Sequence, residues 1–194
     1  MISRRQQPKT GNLNHLRIIA GSWRSRRLSF PDELGLRPTG DRIRETLINW
    51  LAPHLPGARC LDAFAGSGAL GFEALSRGAS ETVFLETNPV TLKALQDNKA
   101  LLGADGANII QADALSWLQQ AQCPAFDIIF LDPPFADNLQ QRCLEQIATS
   151  NLFHADTLIY VECPKAMLRP ALENWSVSRE KSAGNVLYLL LKPA

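Results

Sequence analysis

The chain has 194 residues, 45% of them hydrophobic, which suffices for one domain with its own core and no disulfide or metal staples. Its cysteines, Cys60, Cys123, Cys143 and Cys163, form no C-x-x-C pair; this excludes a zinc site by spacing and reads as reduced thiols of a cytoplasmic protein. The net charge of +1 hides an asymmetry: residues 1–45 hold ten Lys and Arg against four acids, and residues 46–194 hold ten against fifteen, so a basic front half points toward a polyanionic partner.

The segment "MISRRQQPKTGNLNHLR" lacks the apolar stretch of a leader, and no apolar run reaches the roughly 18–20 residues of a membrane span, so neither export nor membrane insertion is expected. Residues 1–15 carry no periodic apolar face and are read as a disordered arm. "HLRIIAGSWRSRRLSFP" holds two short apolar pieces around Gly21-Ser22, the pattern of a small hairpin. "LRPTGDRIRETLINWLAPHLP" reads as a helix capped by Thr39 or Asp41, striped by Ile43, Leu47 and Leu51, and stopped by Pro53. Residues 16–54 thus form a hairpin-and-helix extension, and residues 55–194 the main domain.

From residue 59 strands and helices alternate. The strands are "RCLDAFA", "TVFLET", "ANIIQAD", "DIIFLD" and "TLIYVEC"; the intervening helices are "ALGFEALSRG", "PVTLKALQDNKALLG", "ALSWLQQ" and "NLQQRCLEQIATS", with a short helical piece near 166–172. "WSVSREKS" and "NVLYLLLK" are too close for a crossover helix and should pair antiparallel. The order predicts an α/β fold, a mostly parallel sheet with helices on both faces.

Gly66-Ser67-Gly68-Ala69-Leu70-Gly71 follows the first of these strands and opens a helix, the context in which such a turn lets a ligand approach the backbone closely. Glu86, after the next strand, suits ribose hydroxyls. The ligand is either a dinucleotide or S-adenosylmethionine. Asp62 favours the second, because a carboxylate faces a pyrophosphate badly and a cationic amino-acid group well. Asp113 ends the third strand, where it accepts from an adenine amine or caps the following helix. With Asp132, four successive strands end in acids, which calls for a cationic, donor-rich ligand among them.

"DIIFLDPPF" closes the fourth strand. Pro133 and Pro134 remove two N–H donors and stiffen the backbone, leaving carbonyl acceptors beside the carboxylate of Asp132. Such a pocket suits an exocyclic amine, and Phe135 offers a face on which a base stacks. A nicotinamide enzyme has no use for this motif, a cytosine-C5 methyltransferase needs a cysteine nucleophile that the motif lacks, and a non-catalytic RNA-binding protein would leave the acids idle. The residues alone therefore reach an amino methyltransferase acting on a nucleic-acid base, DNA adenine included.

On "RPTGDRIRE", "LDAFAGSGALGFEALSRGA", "FLE", "DIIFLDPPF" and "LIYVE" the chain resembles the class I S-adenosylmethionine-dependent methyltransferases, and within them the RsmD-type bacterial 16S rRNA guanine-N2 enzymes. The resemblance implies a Rossmann-like sheet of seven strands with an antiparallel last strand. It implies methylation of guanine 966 at N2, with the small ribosomal subunit or a late assembly particle as substrate, by a metal-free monomer. It places Asp62, Phe64, Gly66, Gly68, Glu86, Asp113 and Asp132 at the cofactor, and Asp132, Pro133, Pro134 and Phe135 at the amine. Gly40 stands where the family motif would carry a second Thr, which leaves the local cap open. RNA binding then gives the basic front a role, since Arg17, Arg24, Arg26 and Arg27 flank Trp23 and offer phosphate contacts beside a stacking surface. Arg37, Arg42 and Arg44 lie on or before the helix expected to cover the cofactor cleft; charge pairing with Asp41 and Glu45 on the helix surface is the alternative for Arg42 and Arg44.

Overall fold

The computed structural model describes residues 13–32, 40–134, 138–165 and 172–194. Two strands, β1 (Leu13–Arg17) and β2 (Arg27–Pro31), pair antiparallel as a separate hairpin. Seven more form the main sheet: β3 (Arg59–Asp62), β4 (Glu81–Glu86), β5 (Ala107–Gln111), β6 (Ile128–Leu131), β7 (Leu158–Pro164), β8 (Trp175–Ala183) and β9 (Val186–Pro193). Their order across the sheet is β5-β4-β3-β6-β7-β9-β8. Only β9 runs against its neighbours, inserted between β7 and β8, as expected. The helical piece expected near 166–172 falls mostly on residues outside the described set.

The sheet is apolar on both faces, which is why its central strands read as continuous hydrophobic runs rather than alternating ones. On one face, Leu61, Val83, Ile129, Val161 and Leu189 pack under α4 (Ala114–Gln120) and α5 (Leu139–Ala148). On the other, Cys60, Phe130, Tyr160, Tyr188 and Leu190 lie under α1 (Asp41–Leu51), and Phe84 lies under α2 (Ala69–Ser76) and α3 (Pro89–Leu102).

The hairpin is part of the domain's fabric. Buried Glu73 of α2 accepts the backbone N–H groups of Ile19 and Ala20 at 2.8 and 3.0 Å and pairs with Arg77 at 3.0 Å. Ser76 accepts from the N–H of Trp23 and donates to the Ala20 carbonyl. Gly21, at φ +85°, sits so close that a Cβ there would fall 1.9 Å from the Ser76 carbonyl oxygen. Along β2, Ser29 and Asn98 of α3 exchange two hydrogen bonds.

Three local expectations change. β1 begins at Leu13, so the segment read as an arm through residue 15 contributes three residues to the hairpin. The two strands form the expected hairpin around Gly21-Ser22 and are joined by the docked residues 18–26. Gly40 is the N-cap of α1 and makes no side-chain cap bond, while Asp41 lies inside the helix; Thr39 is outside the described residues. Arg44 is also no surface charge. It is 1% exposed, donates both terminal nitrogens to the Arg17 carbonyl, and pairs with Asp41. It ties α1 to the hairpin, and its Nε has no hydrogen-bond partner among the described residues.

Candidate active site

Glu86 and Asp62 end β4 and β3, Asp132 directly follows β6, and Glu162 lies two residues before the end of β7. Side-chain alternation sorts all four to the face covered by α1, α2 and α3. Asp62 follows Cys60, Glu86 follows Phe84, Glu162 follows Tyr160, and Asp132 continues the series Ile128, Phe130. Neighbouring strand ends are about 4.8 Å apart, so four carboxylates share one crevice rim.

Asp62 is 3% exposed, and one oxygen accepts the Gly71 N–H at 3.0 Å. Burial pushes its carboxyl up to about 7, against the Gly71 hydrogen bond; the charges of Asp132 and Glu86 push the same way as burial. Burial and the neighbouring acids thus disfavour its charged form, which a cation beside it would favour. Glu86 is half-buried. Its two oxygens accept from the N–H groups of Gly66 at 3.1 Å and Asn88 at 2.8 Å, leaving further lone pairs on each. Asn88 caps α3 through Val90 and Thr91.

The glycine turn divides its labour. Gly66 and Gly68 have φ of +49° and +76°, which only glycine adopts without strain. A Cβ on Gly71 would lie 2.3 Å from the Phe84 ring, so this glycine sets the packing of α2 on β4. Phe64 is half-buried and packs toward the α4/α5 layer.

Asp132 is half-buried, Pro133 buried and Pro134 exposed, an arrangement that leaves the second proline at the crevice surface. Phe135 lies outside the described residues. Asp113 is exposed and stands apart from the row: it caps α4, accepting from both the backbone N–H and the hydroxyl of Ser116 at 2.9 and 2.8 Å, which holds its carboxyl below the usual range.

Sequence reasoning missed Glu162 and Tyr160. Glu162 is 4% exposed and accepts the Tyr160 hydroxyl, which lies within reach of the Asp132 charge; burial and then Glu162 push this phenol well above 10. The signal was present: "LIYVE" repeats the pattern of an apolar strand ending in an acid. Cys60 and Cys143 are buried thiols pushed up to about 12, Cys163 lies in the core under α5, and Cys123 sits beside Arg59 at the amino end of the sheet. Among the described residues, no thiol takes a nucleophile's place in the crevice.

The basic residues of the front half are dispersed. Arg17, Arg24 and Arg27 are exposed. The Arg26 guanidinium donates to the Leu101 carbonyl at 2.7 Å, near the end of α3, and Trp23 is half-buried against the core. Because residues 22 and 23 are held by Ser76, the last residue of α2, the loop stands at the amino end of the sheet. It is a helix of eight residues, about 12 Å, away from the glycine turn. Arg37 is outside the described residues.

A sheet of this order with a reversed last strand, a glycine turn after its first strand and acids at the following strand ends is the architecture of the class I methyltransferases. The family model described as "Conserved hypothetical protein 95" matches residues 16–192, and the chain belongs to that family. It is 45% identical to the Haemophilus influenzae "Ribosomal RNA small subunit methyltransferase D" over 90% of this chain and 92% of that protein. It is 44% identical to the Escherichia coli K12 protein of the same name, over 95% and 93%. The solved structure "Putative methyltransferase yhhF from Escherichia coli" superposes with a TM-score of 0.84 at 40% identity, covering 93% of this chain and 98% of that one.

Proposed function

We propose that the protein transfers a methyl group from S-adenosylmethionine to the exocyclic N2 amine of guanine 966 in 16S rRNA, acting in the cytoplasm on the small ribosomal subunit or a late assembly particle. The observation that carries this reading is the common face of Asp62 and Asp132 on the adjacent strands β3 and β6, with the first of two prolines following directly. The names of the close relatives supply the rRNA.

When bound, S-adenosylmethionine supplies an electrophilic methyl group on a sulfonium centre. Asp62 meets the cationic amino-acid end of that ligand, Glu86 accepts its ribose hydroxyls, and Gly66 and Gly68 admit it to the backbone. Asp113, through the lone pairs that Ser116 leaves, accepts from the adenine amine. Asp132 and the Pro133 carbonyl accept the two N–H groups of the substrate amine. An aryl amine is a weak nucleophile because its lone pair is delocalised; holding both protons on acceptors favours a pyramidal nitrogen and turns the lone pair toward the methyl group. As the N–C bond forms, the methyl C–S bond would break to leave S-adenosylhomocysteine as the thioether, and Asp132 would receive the proton lost by the amine. Phe135 stacks the base, which has to be splayed from its neighbours to reach the pocket. Arg17, Arg24 and Arg27, with Trp23 beside them, meet the particle away from the target base.

Mass spectrometry of rRNA nucleosides from cells lacking the protein tests the reading. N2-methylguanosine should fall by one residue per small subunit, and primer extension should place the loss at 966. An unchanged modification at that position refutes the target.

A further inference from the structure

Strand β8 is the outer edge of the main sheet, exposed over Val177–Ser182, and its charges are sorted by face. Across the antiparallel pairing, Lys181 stands opposite Tyr188 and Arg179 opposite Leu190, both of which face α1. Glu180 stands opposite Leu189, on the face of α4 and α5. Lys192, opposite Ser176, adds a third cation to the α1 face. Register also fixes the height of these cations. Leu131 pairs with Val161, so Asp132 is level with Glu162; Glu162 pairs with Tyr188, and Tyr188 with Lys181. One transverse row therefore runs Asp132, Glu162, Tyr188, Lys181 over three strand spacings, about 14 Å. Arg179 lies one step below, in the row of Asp62, Phe130, Tyr160 and Leu190. The β8–β9 turn closes this rim, since the Lys165 N–H donates to the Asn185 carbonyl at 2.7 Å.

We propose that this cationic edge is a docking surface for the RNA backbone flanking the target base, with Arg179 and Lys181 contacting phosphates. The inference rests on the reading that the substrate is RNA. The occupant follows from charge complementarity. The crevice rim is acidic and repels phosphates, whereas the sheet's first cations beyond it on the same face are Lys181 and Arg179. The loop holding Arg24 and Arg26 stands at the opposite end of the helices. Charges on a bare edge strand also deter edge-to-edge pairing, but deterrence does not require the cations on one face and the acid on the other.

The test is Arg179→Gln/Lys181→Gln in the full chain. Affinity for a labelled 16S rRNA fragment is read by fluorescence anisotropy across a salt series with S-adenosylhomocysteine present, and methyl transfer to undermethylated small subunits is read separately. Dissociation constant and KM should rise about five- to tenfold, kcat at saturating subunits should stay within twofold, and the salt slope should fall by about 1.5, at roughly 0.7 to 0.9 per phosphate contact. Arg179→Lys/Lys181→Arg should restore both, and Glu180→Gln should change neither. Wild-type affinity and slope in the neutralised variant, with the fold intact by circular dichroism, overturn the proposal and leave edge protection as the role of these charges. A wild-type protein that binds the fragment but methylates no subunit overturns the proposed function and not the surface.

Discussion

Asp62→Asn separates the two consequences of burying a carboxylate in an acidic crevice. The side chain ends β3, is held up to about 7 chiefly by burial, and keeps one oxygen on the Gly71 N–H. A group whose folded pKa exceeds its ordinary 3.8 stabilises the fold below about pH 4 and loses that contribution as pH rises through 7. At about 1.36 kcal/mol per tenfold change in proton affinity, the displacement amounts to about 4 kcal/mol by pH 8, as an upper figure. Asparagine has the same shape and keeps an oxygen for Gly71 but carries no charge. The ligand-free variant should therefore melt above the wild type at pH 8, by up to about 8–16 °C at the roughly 2–4 °C per kcal/mol expected for a chain of this size. The gap should close toward pH 4. Affinity for S-adenosylhomocysteine, whose ammonium loses its partner, should fall at least about tenfold at pH 8. Melting curves at half-unit pH intervals and calorimetric titration read both. Parallel melting profiles, with the same gap at pH 4 and pH 8, would show that Asp62 is not held protonated by its surroundings and would remove the electrostatic argument for a cationic ligand.

Asp132→Ala should lower methyl transfer by at least about a hundredfold while S-adenosylhomocysteine affinity stays within about threefold; retained turnover in a single-turnover assay sinks the amine-orienting role. Glu162→Gln keeps an acceptor for the Tyr160 hydroxyl but removes a charge from the row. It should change the pH dependence of kcat with little effect on KM, and an unaltered profile would reduce Glu162 to a packing residue. Gly21→Ala combines a strained φ with backbone that cannot retreat, so it should destabilise by roughly 1–3 kcal/mol in urea unfolding. Glu73→Ala removes the acceptor for two backbone N–H groups and should cost about 2–4 kcal/mol, read the same way.

The sheet was legible because its central strands are short, apolar and closed by a turn signal, and α4 coincides with the expected "ALSWLQQ". Asp62, Glu86, Asp113 and Asp132 were legible as strand-end acids, but only the register adds Glu162 to the face of Asp62, Glu86 and Asp132, and only the hydrogen bonds to Ser116 show Asp113 capping α4. What the sequence hid is tertiary. Trp23 and Arg26 have the composition of an RNA contact, yet their partners, Ser76 and Leu101, lie more than fifty residues downstream. Arg44 looked like a helix-surface charge because nothing local reveals that the Arg17 carbonyl would cover it.

The two ends of the sheet hold their acids by different partners. At the amino end Glu81 and Asp127 meet nitrogen donors. Glu81 pairs with Arg59 at 2.7 Å, and Asp127 accepts the Arg59 backbone N–H at 2.7 Å and lies 3.0 Å from His154 Nε2. The His154 Nδ1 accepts from the Asp156 N–H, so Nε2 carries the hydrogen that Asp127 receives. The Arg59 guanidinium also lies over the Phe126 ring at 4.2 Å. These contacts fasten β3, β4 and β6 together. At the carboxyl end of the same strands Asp62 is buried with a backbone N–H as its partner and two further acids pushing it toward protonation. The charges of Asp132 and Glu86 disfavour ionisation of Asp62, and a cationic ligand beside Asp62 would offset that cost. Saturating S-adenosylhomocysteine should accordingly raise the melting temperature more at pH 8 than at pH 5, because only the ionised crevice gains a counter-charge on binding.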